Sequence, residues 1–535
     1  MKRTLAFVCL AVLVLMAGLS GCSQQSSPTE IRGYFASSPE TIDPTMNSSM
    51  DGATYLVHLF QGLYRFKWDG TGIEFGDAES VDISDDGLVW TFHLRDRLKW
   101  SDGQMLSAYD YQYAWRRLCN PEVAAPYGYD IGAFIKNGVE ALDGEVAPEE
   151  IGVKVIDDKT FEVTLSGPCP FFDQVAAFPV LYPVRSDAVV GEEDTWWTNP
   201  TTYYTNGPFM MQSFTADKEL VIVPNPQYYD KVNIAPTKIT FKFLADENAG
   251  LAALRANEID IANQCPPDES TKLKEEGLFD LRDQLGTYYI SFNSDKEPFD
   301  NALVRKAFSL AADRDFLSET VMLNTRTPAT AMVCPGFADL ATGSDFRTVG
   351  GEFISTDYEA NKAEAKKALA EAGYPDGKDF PVVEYVYNES SVHETIAEAL
   401  AKSWEEVLGV KVTLAKQEWG TFLETRRKGN FSIARNGWIS DWMDPSSMLT
   451  IFVSGGGNND GNYSNPDFDA YIAESYASSD QSVRLTALHN AEKVLMEDWG
   501  CAPLMFYKES FIVNKDLKDW HHLTLGYTLL HMAHK

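Results

Sequence analysis

Apolar and polar positions alternate in several short stretches of the chain, and the alternation predicts strands. Trp90-Thr91-Phe92-His93-Leu94-Arg95 sets large apolar side chains against polar ones at every second position, as a half-buried strand requires. Phe161-Glu162-Val163-Thr164-Leu165 and Ile239-Thr240-Phe241-Lys242-Phe243 repeat the pattern. Elsewhere the period is helical. From Asp110 to Leu118, Tyr111, Ala114, Trp115 and Leu118 share one face behind Ser107, a good cap, and Arg116 and Arg117 close the helix where its dipole favours cations. A second helix is predicted from about Asp300 to Ala312, with Leu303, Ala307, Phe308 and Leu310 facing inward. A third runs from Tyr358 to Ala372 and is closed by Gly373 and Pro375; a fourth runs from about Val392 to Leu408 and is closed by Gly409. Strand signals dominate 70–300 and helix signals 300–430, an α/β mixture without strict alternation and without a repeat.

The chain opens on a different pattern. Lys2 and Arg3 precede an unbroken apolar run from Leu5 to Met16, followed by Leu19-Ser20-Gly21-Cys22 and a polar stretch. The run is too short to cross about 30 Å of hydrocarbon, so residues 1–21 read as a signal peptide rather than a transmembrane helix. Leu19-Ser20-Gly21-Cys22 resembles the bacterial lipobox, whose cysteine becomes the first residue of the mature chain and carries lipid. Cys22 is the expected lipidation site, holding the protein to the outer face of a membrane, and residues 22–30 read as anchor and flexible tether. Everything beyond is expected to work outside the cell, where ATP and reduced nicotinamides are not available as substrates.

Charge narrows the partners. Against 45 Lys and Arg stand 78 Asp and Glu, a net charge of −33, and such a surface repels nucleic acid and anionic lipid, which need clustered cations. With 535 residues of 44% hydrophobic composition, the chain is ample for two large lobes or three smaller domains. Beyond Cys9 and Cys22 lie Cys119, Cys169, Cys265, Cys334 and Cys501, far apart and with no C-x-x-C. That argues against a zinc site or a redox pair and leaves room for one or two disulfides whose pairing the spacing does not reveal.

Catalytic signatures are missing from the mature chain. It has no G-x-S-x-G and no G-x-x-x-x-G-K-[ST], and His393-Glu394 is followed by Ala397 where a zinc protease needs its second histidine. Adjacent His521 and His522 do not point at one metal from a helix or a strand, so no metal site and no cofactor is predicted. The run from Gly455 to Asn462 lacks the ligand spacing of a calcium loop and reads as a flexible surface turn. What the chain has instead is Ile433-Ala434-Arg435-Asn436-Gly437-Trp438-Ile439-Ser440-Asp441-Trp442-Met443-Asp444-Pro445, a strand entering a turn. Such a strand pairs with an extended ligand through its main chain, Trp438 supplying an apolar wall and a carboxylate beyond it an ammonium site. The same residues equally suit a core tryptophan and a turn-capping Asp441, and both readings stand at this point.

Taken in order, further motifs carry a resemblance over residues 30–535. They are Leu59-Phe60-Gln61-Gly62-Leu63-Tyr64, Ser84-Asp85-Asp86-Gly87 with the Trp90 strand, Lys99-Trp100-Ser101-Asp102-Gly103, and Trp115-Arg116-Arg117-Leu118. Gly207-Pro208-Phe209, Asn225-Pro226 with Tyr228, Asn257-Glu258-Ile259-Asp260-Ile261, and Phe292-Asn293 with Pro298-Phe299 follow. Arg305-Lys306-Ala307 leading to Asp313-Arg314, Ala372-Gly373-Tyr374-Pro375-Asp376-Gly377, and Gly437-Trp438 to Pro445 complete the series. In this order the chain resembles the extracytoplasmic solute-binding proteins of ABC importers, family 5, of the oligopeptide-binding type.

The resemblance implies an α/β fold, a two-lobed periplasmic-binding-protein-like clamshell of type II with an additional domain, mixed sheets and two crossing segments. It implies a first lobe from 31–55, 195–285 and 506–535, an additional domain at 56–194, and a second lobe at 286–505. Asp441 then grips a ligand's α-amino group, and Gly437, Trp438 and Ile439 pair with a peptide main chain. Ser48, Ser49 and Met50 match the counterpart strand on the other lobe, Tyr127 a pocket-lining tyrosine, and His393 and Arg435 the groups that meet the carboxylate terminus of shorter peptides. Some relatives carry a cysteine where Ile439 stands, so no disulfide is implied there. The implied function is a monomeric, non-enzymatic receptor that hands oligopeptides to a membrane permease. Receptors for dipeptides, nickel chelates or other small solutes, a peptide-signal sensor, and a cell-surface hydrolase or peptidase are the alternatives.

Overall fold

The computed structural model describes residues 29–35, 38–341 and 343–535; the predicted signal peptide, Cys22 and the tether as far as Pro28 lie outside the described residues. The tether ends one residue earlier than predicted, because Glu30 already pairs with Lys238 at the start of strand Glu30–Tyr34. The alternating stretches form strands Val89–Leu94, Thr160–Thr164 and Lys238–Lys242. The helical stretches form Ala108–Leu118, Ala302–Leu310, Tyr358–Glu371 and Ser391–Leu408. Ser107 and Asp110 close a reciprocal capping box on the first of these. Gly409 takes the left-handed conformation, φ 71°, that ends the last.

One mixed sheet of 11 strands runs through the molecule. Its backbone is a pair of long antiparallel strands, Phe279–Phe292 and Cys501–Val513. On one flank Phe279–Phe292 pairs with Ile433–Ile439, which runs parallel to Val383–Asn388, itself parallel to Val412–Gln417. On the other flank Cys501–Val513 pairs with Ile261–Ala262, and the sheet continues through Glu30–Tyr34, Lys238–Lys242, Glu219–Pro224 and Phe209–Thr215. The two long strands therefore connect two differently wound halves. Their register slips between Asp283 and Thr287, and such an irregularity bends and twists a strand pair.

A separate antiparallel sheet of four strands, Ala78–Ile83, Val89–Leu94, Thr160–Thr164 and Val153–Asp157, packs on helix Ala108–Leu118. Large aromatic side chains fill the interior and satisfy their single donors there. Trp115 Nε1 donates to Leu181 O at 3.0 Å and Trp404 Nε1 to Phe308 O at 2.9 Å. Cys119, Cys169, Cys265, Cys334 and Cys501 are all buried free thiols, so the disulfides that an oxidising compartment allows are not formed. Burial pushes each thiol upward, Cys119 and Cys265 to about 12, which keeps them inert.

Candidate functional site

Strand Ile433–Ile439 pairs along its whole length with Phe279–Phe292, Arg435 opposite Ile290 and Trp438 opposite Thr287. Its other edge is paired only at Ile433 and Ala434, with Tyr385 and Val386. Beyond Arg435 that edge faces a cavity of about 740 Å³ instead of another strand. Gly437 N–H is taken there only by its neighbour Asn436 Oδ1, at 2.8 Å. Glycine is needed at 437 because a Cβ would lie 2.1 Å from Tyr507 Oη.

All ten predicted ligand-binding residues line this one cavity: Ser48, Ser49, Met50, Tyr127, His393, Arg435, Gly437, Trp438, Ile439 and Asp441. Trp438 is half-buried, 6.3 Å from the Tyr127 ring between centroids, and its indole N–H has no partner. The segment at Ser48 departs from the strand expected of it. Ser49 is extended, φ −125° and ψ 149°, but its hydroxyl caps helix Met50–Leu59, and Met50 is already helical. Ser48 Oγ accepts from Arg427 Nη2 at 2.7 Å.

Asp441 lies just past the strand, 5% exposed. Its carboxylate meets only neutral hydroxyls, accepting from Tyr127 Oη at 3.1 Å and Ser447 Oγ at 3.5 Å. Burial, with Asp130 nearby, raises its pKa well above the carboxylate range against those two hydrogen bonds. Asp130 itself is pushed up to about 7 by burial, although Asn458 Nδ2 donates to it at 2.8 Å. This end of the cavity thus holds negative charge at a cost and has no internal cation to relieve it. Among the described residues no Lys, Arg or His is paired with Asp441 or Asp130.

Arg435 sits six residues back along the strand, where the charge is reversed. Its guanidinium lies 5.3 Å from the Tyr288 ring centroid, and its Nε–H is buried without an acceptor. Arg326 lies 5.4 Å from the same ring and 4.8 Å from the Tyr507 ring, and its buried Nη1 also lacks an acceptor. His393 Nδ1 is 3.3 Å from Tyr288 Oη; burial first, then Arg435 and Arg326, hold its pKa well below the ordinary value, so the ring is neutral. His393, which the resemblance sets at a ligand's carboxylate end, is thereby placed beside two cations that have no ion-pair partner among the described residues.

Arg326, Tyr288, Tyr507, Gln284 and Glu509 were not singled out by the sequence, and no local motif marks them. Arg326 reaches the cavity because Thr327–Pro328 pairs with Phe506 and Met505 far along the chain. The glycine-rich run is also not a bare surface turn. Gly457, Asn458 and Asp460 line the cavity, Asp460 Oδ2 binds Arg426 Nε at 3.0 Å, and buried Asn459 donates to Tyr463 O at 2.7 Å.

Contacts bridge the cavity's walls: Tyr127 to Asp441, Asn458 to Asp130, Met443 N–H to Gln174 Oε1 at 2.8 Å, Arg427 to Glu40 at 3.2 Å, and Val392 N–H to Glu247 Oε1 at 3.1 Å. The model of bacterial extracellular solute-binding proteins, family 5, matches residues 74–460. The periplasmic oligopeptide-binding protein OppA of Salmonella typhimurium is 35% identical over 485 residues, 90% of this chain and 87% of that protein. The murein tripeptide-binding protein MppA of Escherichia coli superimposes with a TM-score of 0.88 at 30% identity, covering 95% of this chain and 99% of its own. MppA in its unliganded open form gives 0.65 over the same 95% of this chain and 98% of its own, at the same 30% identity, so the present arrangement differs from that open one. Haemophilus influenzae OppA in complex with the peptide RPPGFSPFR gives 0.85 at 29% identity, over 94% of this chain and 99% of that one.

Proposed function

The chain belongs to the family 5 bacterial extracellular solute-binding proteins, a fold of two lobes closing on a solute, and from that membership we propose that it captures extended oligopeptides in its interlobe cavity. The observation that carries this reading is the pairing of opposite unmet charges across one enclosed space: Asp441 without a cation, and Arg435 and Arg326 without an anion. A zwitterion satisfies both ends. The free edge at Gly437 to Ile439 supplies main-chain hydrogen bonds between them, as strand addition does.

The spacing sets a length. Six strand residues span about 20 Å, and allowing for the reach of the arginines leaves room for a peptide of roughly three to five residues. Asp441 takes the α-ammonium; Arg435 and Arg326, with neutral His393 beside them, take the C-terminal carboxylate. Trp438 and Tyr127 wall the first side chain, and Ser48, Ser49 and Met50 approach the peptide from the opposite lobe. We assign that lobe to 31–55, 195–285 and 506–535, with an additional domain at 56–194 and the other lobe at 286–505, the halves hinging at the two long strands. Cys22 carries the lipid, and the closed monomer presents its cargo to the membrane permease of an ABC importer.

Titration calorimetry with Ala-Ala-Ala and its N-acetyl form tests the core of this reading. The free-amine peptide binds more tightly in the wild type, and Asp441→Asn weakens it by about a hundredfold or more while changing the blocked peptide little. Equal affinity of the two peptides for the wild type overturns the role of Asp441. Labelling of cells with a radioactive fatty acid tests the anchor: the wild-type chain takes up label, and Cys22→Ala does not.

A further inference from the structure

One stretch of the cavity wall carries three buried acceptors that no donor meets, beside a carboxyl, Glu509, that only the Gln284 amide reaches. Gln284, on Phe279–Phe292, is 6% exposed and its Oε1 has no partner. Glu509, on the other long strand, lines the cavity beside it, and no Lys, Arg or His among the described residues forms an ion pair with it. Nearby in the fold, Asn263 follows Ile261–Ala262, whose partner Ile512 lies three residues beyond Glu509. Asn263 Oδ1 is buried without a donor, and so is Oε2 of Glu247, a residue 1% exposed at the start of helix Glu247–Arg255. All four residues line the same cavity.

Native proteins seldom leave buried acceptors unmatched, because each costs the solvation it has lost. Three unmet acceptors, on Gln284, Asn263 and Glu247, together with the Glu509 carboxyl that has no ion-pair partner, ask for a ligand group that carries several donors and a positive charge. A primary ammonium brings three N–H donors and a guanidinium five. Burial pushes Glu509 up to about 8, and the Arg326 charge and a hydrogen bond from the Gln284 amide lower it only in part. Arg326 in turn is held over two tyrosine rings and does not reach ion-pairing distance. The wall is therefore distinct from the arginine cluster.

We propose that Glu509 and Gln284, extended by Asn263 and Glu247, form a subsite for a cationic peptide side chain, so that this receptor selects lysine- or arginine-bearing peptides. The proposal rests on the peptide reading of the cavity and adds a side-chain preference to it. A lysine ammonium entering here donates to Gln284 Oε1 and to the Glu509 carboxylate, which then ionises. The aliphatic isostere norleucine fills the same volume and leaves Gln284 Oε1 unmet and Glu509 without a cation.

The test is calorimetry with Ala-Ala-Ala and with six derivatives, carrying lysine or norleucine at the first, second or third position. At one position lysine binds the wild type at least about tenfold more tightly than norleucine, and in Glu509→Gln that ratio falls toward unity. The ratio is the readout, so a general loss of affinity in the variant does not imitate the effect. Gln284→Leu, which removes the neutral acceptor, reduces the same ratio and serves where Glu509→Gln folds poorly. Lysine and norleucine binding equally at all three positions overturns the subsite while leaving the peptide reading intact. Failure of all seven peptides, Ala-Ala-Ala included, overturns the peptide reading and the subsite with it.

Discussion

Asp441 owes its proposed grip on an ammonium to what surrounds it, since two hydroxyls hold the carboxylate in place but neither neutralises it. Tyr127→Phe tests how much that positioning contributes. Losing one hydrogen bond to a charged group costs about 1.5–3 kcal/mol, so the free-amine peptide weakens by about tenfold or more and the N-acetyl peptide by less. Calorimetry on the pair reads it, and an equal loss for both peptides would reduce Tyr127 to a packing residue. At the far end Arg435→Met weakens a free-carboxylate peptide far more than its C-terminal amide, because the amide never needed the guanidinium's charge. Asp441, Trp438 and Arg435 were legible because they crowd into thirteen consecutive residues of distinctive composition. Arg326, Gln284 and Glu509 were not, since each is an ordinary polar residue in its own neighbourhood and acquires a role only where distant strands converge.

Strand Ile433–Ile439 keeps its free edge because the turn after it is anchored from behind. Asp444 Oδ2 and Oδ1 bind Arg484 Nη1 and Nη2 at 3.0 and 3.1 Å, and Arg484 is wholly buried against the Phe171 ring. Arg484→Met strands a buried carboxylate, so it lowers unfolding stability by about 3–5 kcal/mol, measured by urea denaturation. Gly437→Ala acts in the opposite place. Its Cβ displaces Tyr507, over which Arg326 is stacked, so peptide affinity falls while the stability loss stays near the overpacking range of about 1–3 kcal/mol. Periodicity revealed amphipathic helices and short strands because each has one wet face. It did not reveal Phe279–Phe292 as a single strand, since that element is exposed at its start and buried on both faces from Gln284 onward, with a register slip between. The glycine-rich run misled for a related reason: Asn458 and Asp460 find their partners, Asp130 and Arg426, outside the local pattern.

Closing the whole molecule moves several titratable groups from water into the cavity, and their pKa values say which way an empty receptor leans. In the closed form Asp130 and Glu509 are raised to about 7 and about 8, and Asp441 stands well above the carboxylate range. Solvated in an open cleft, each would titrate near about 4, so the closed state binds more protons and empty closure becomes easier as pH falls from about 8. His393 runs the other way. Held neutral when closed, it binds fewer protons there than in water, and it opposes closure once pH drops below its ordinary value of about 6.5. The gain from acidification is therefore steepest between about pH 8 and about 6.5 and continues more weakly below it, where three carboxyls still outnumber one histidine. At the upper end of that window closure without cargo requires burying Asp441 either charged or freshly protonated, whereas a peptide's ammonium removes the penalty and tips the equilibrium toward the closed form. Asp441→Asn removes the same penalty without a ligand. Small-angle scattering of the ligand-free proteins at pH 8 should give the variant a smaller radius of gyration than the wild type, with the difference narrowing toward pH 6.5; identical radii across the window would mean that this carboxylate does not hold the empty receptor open.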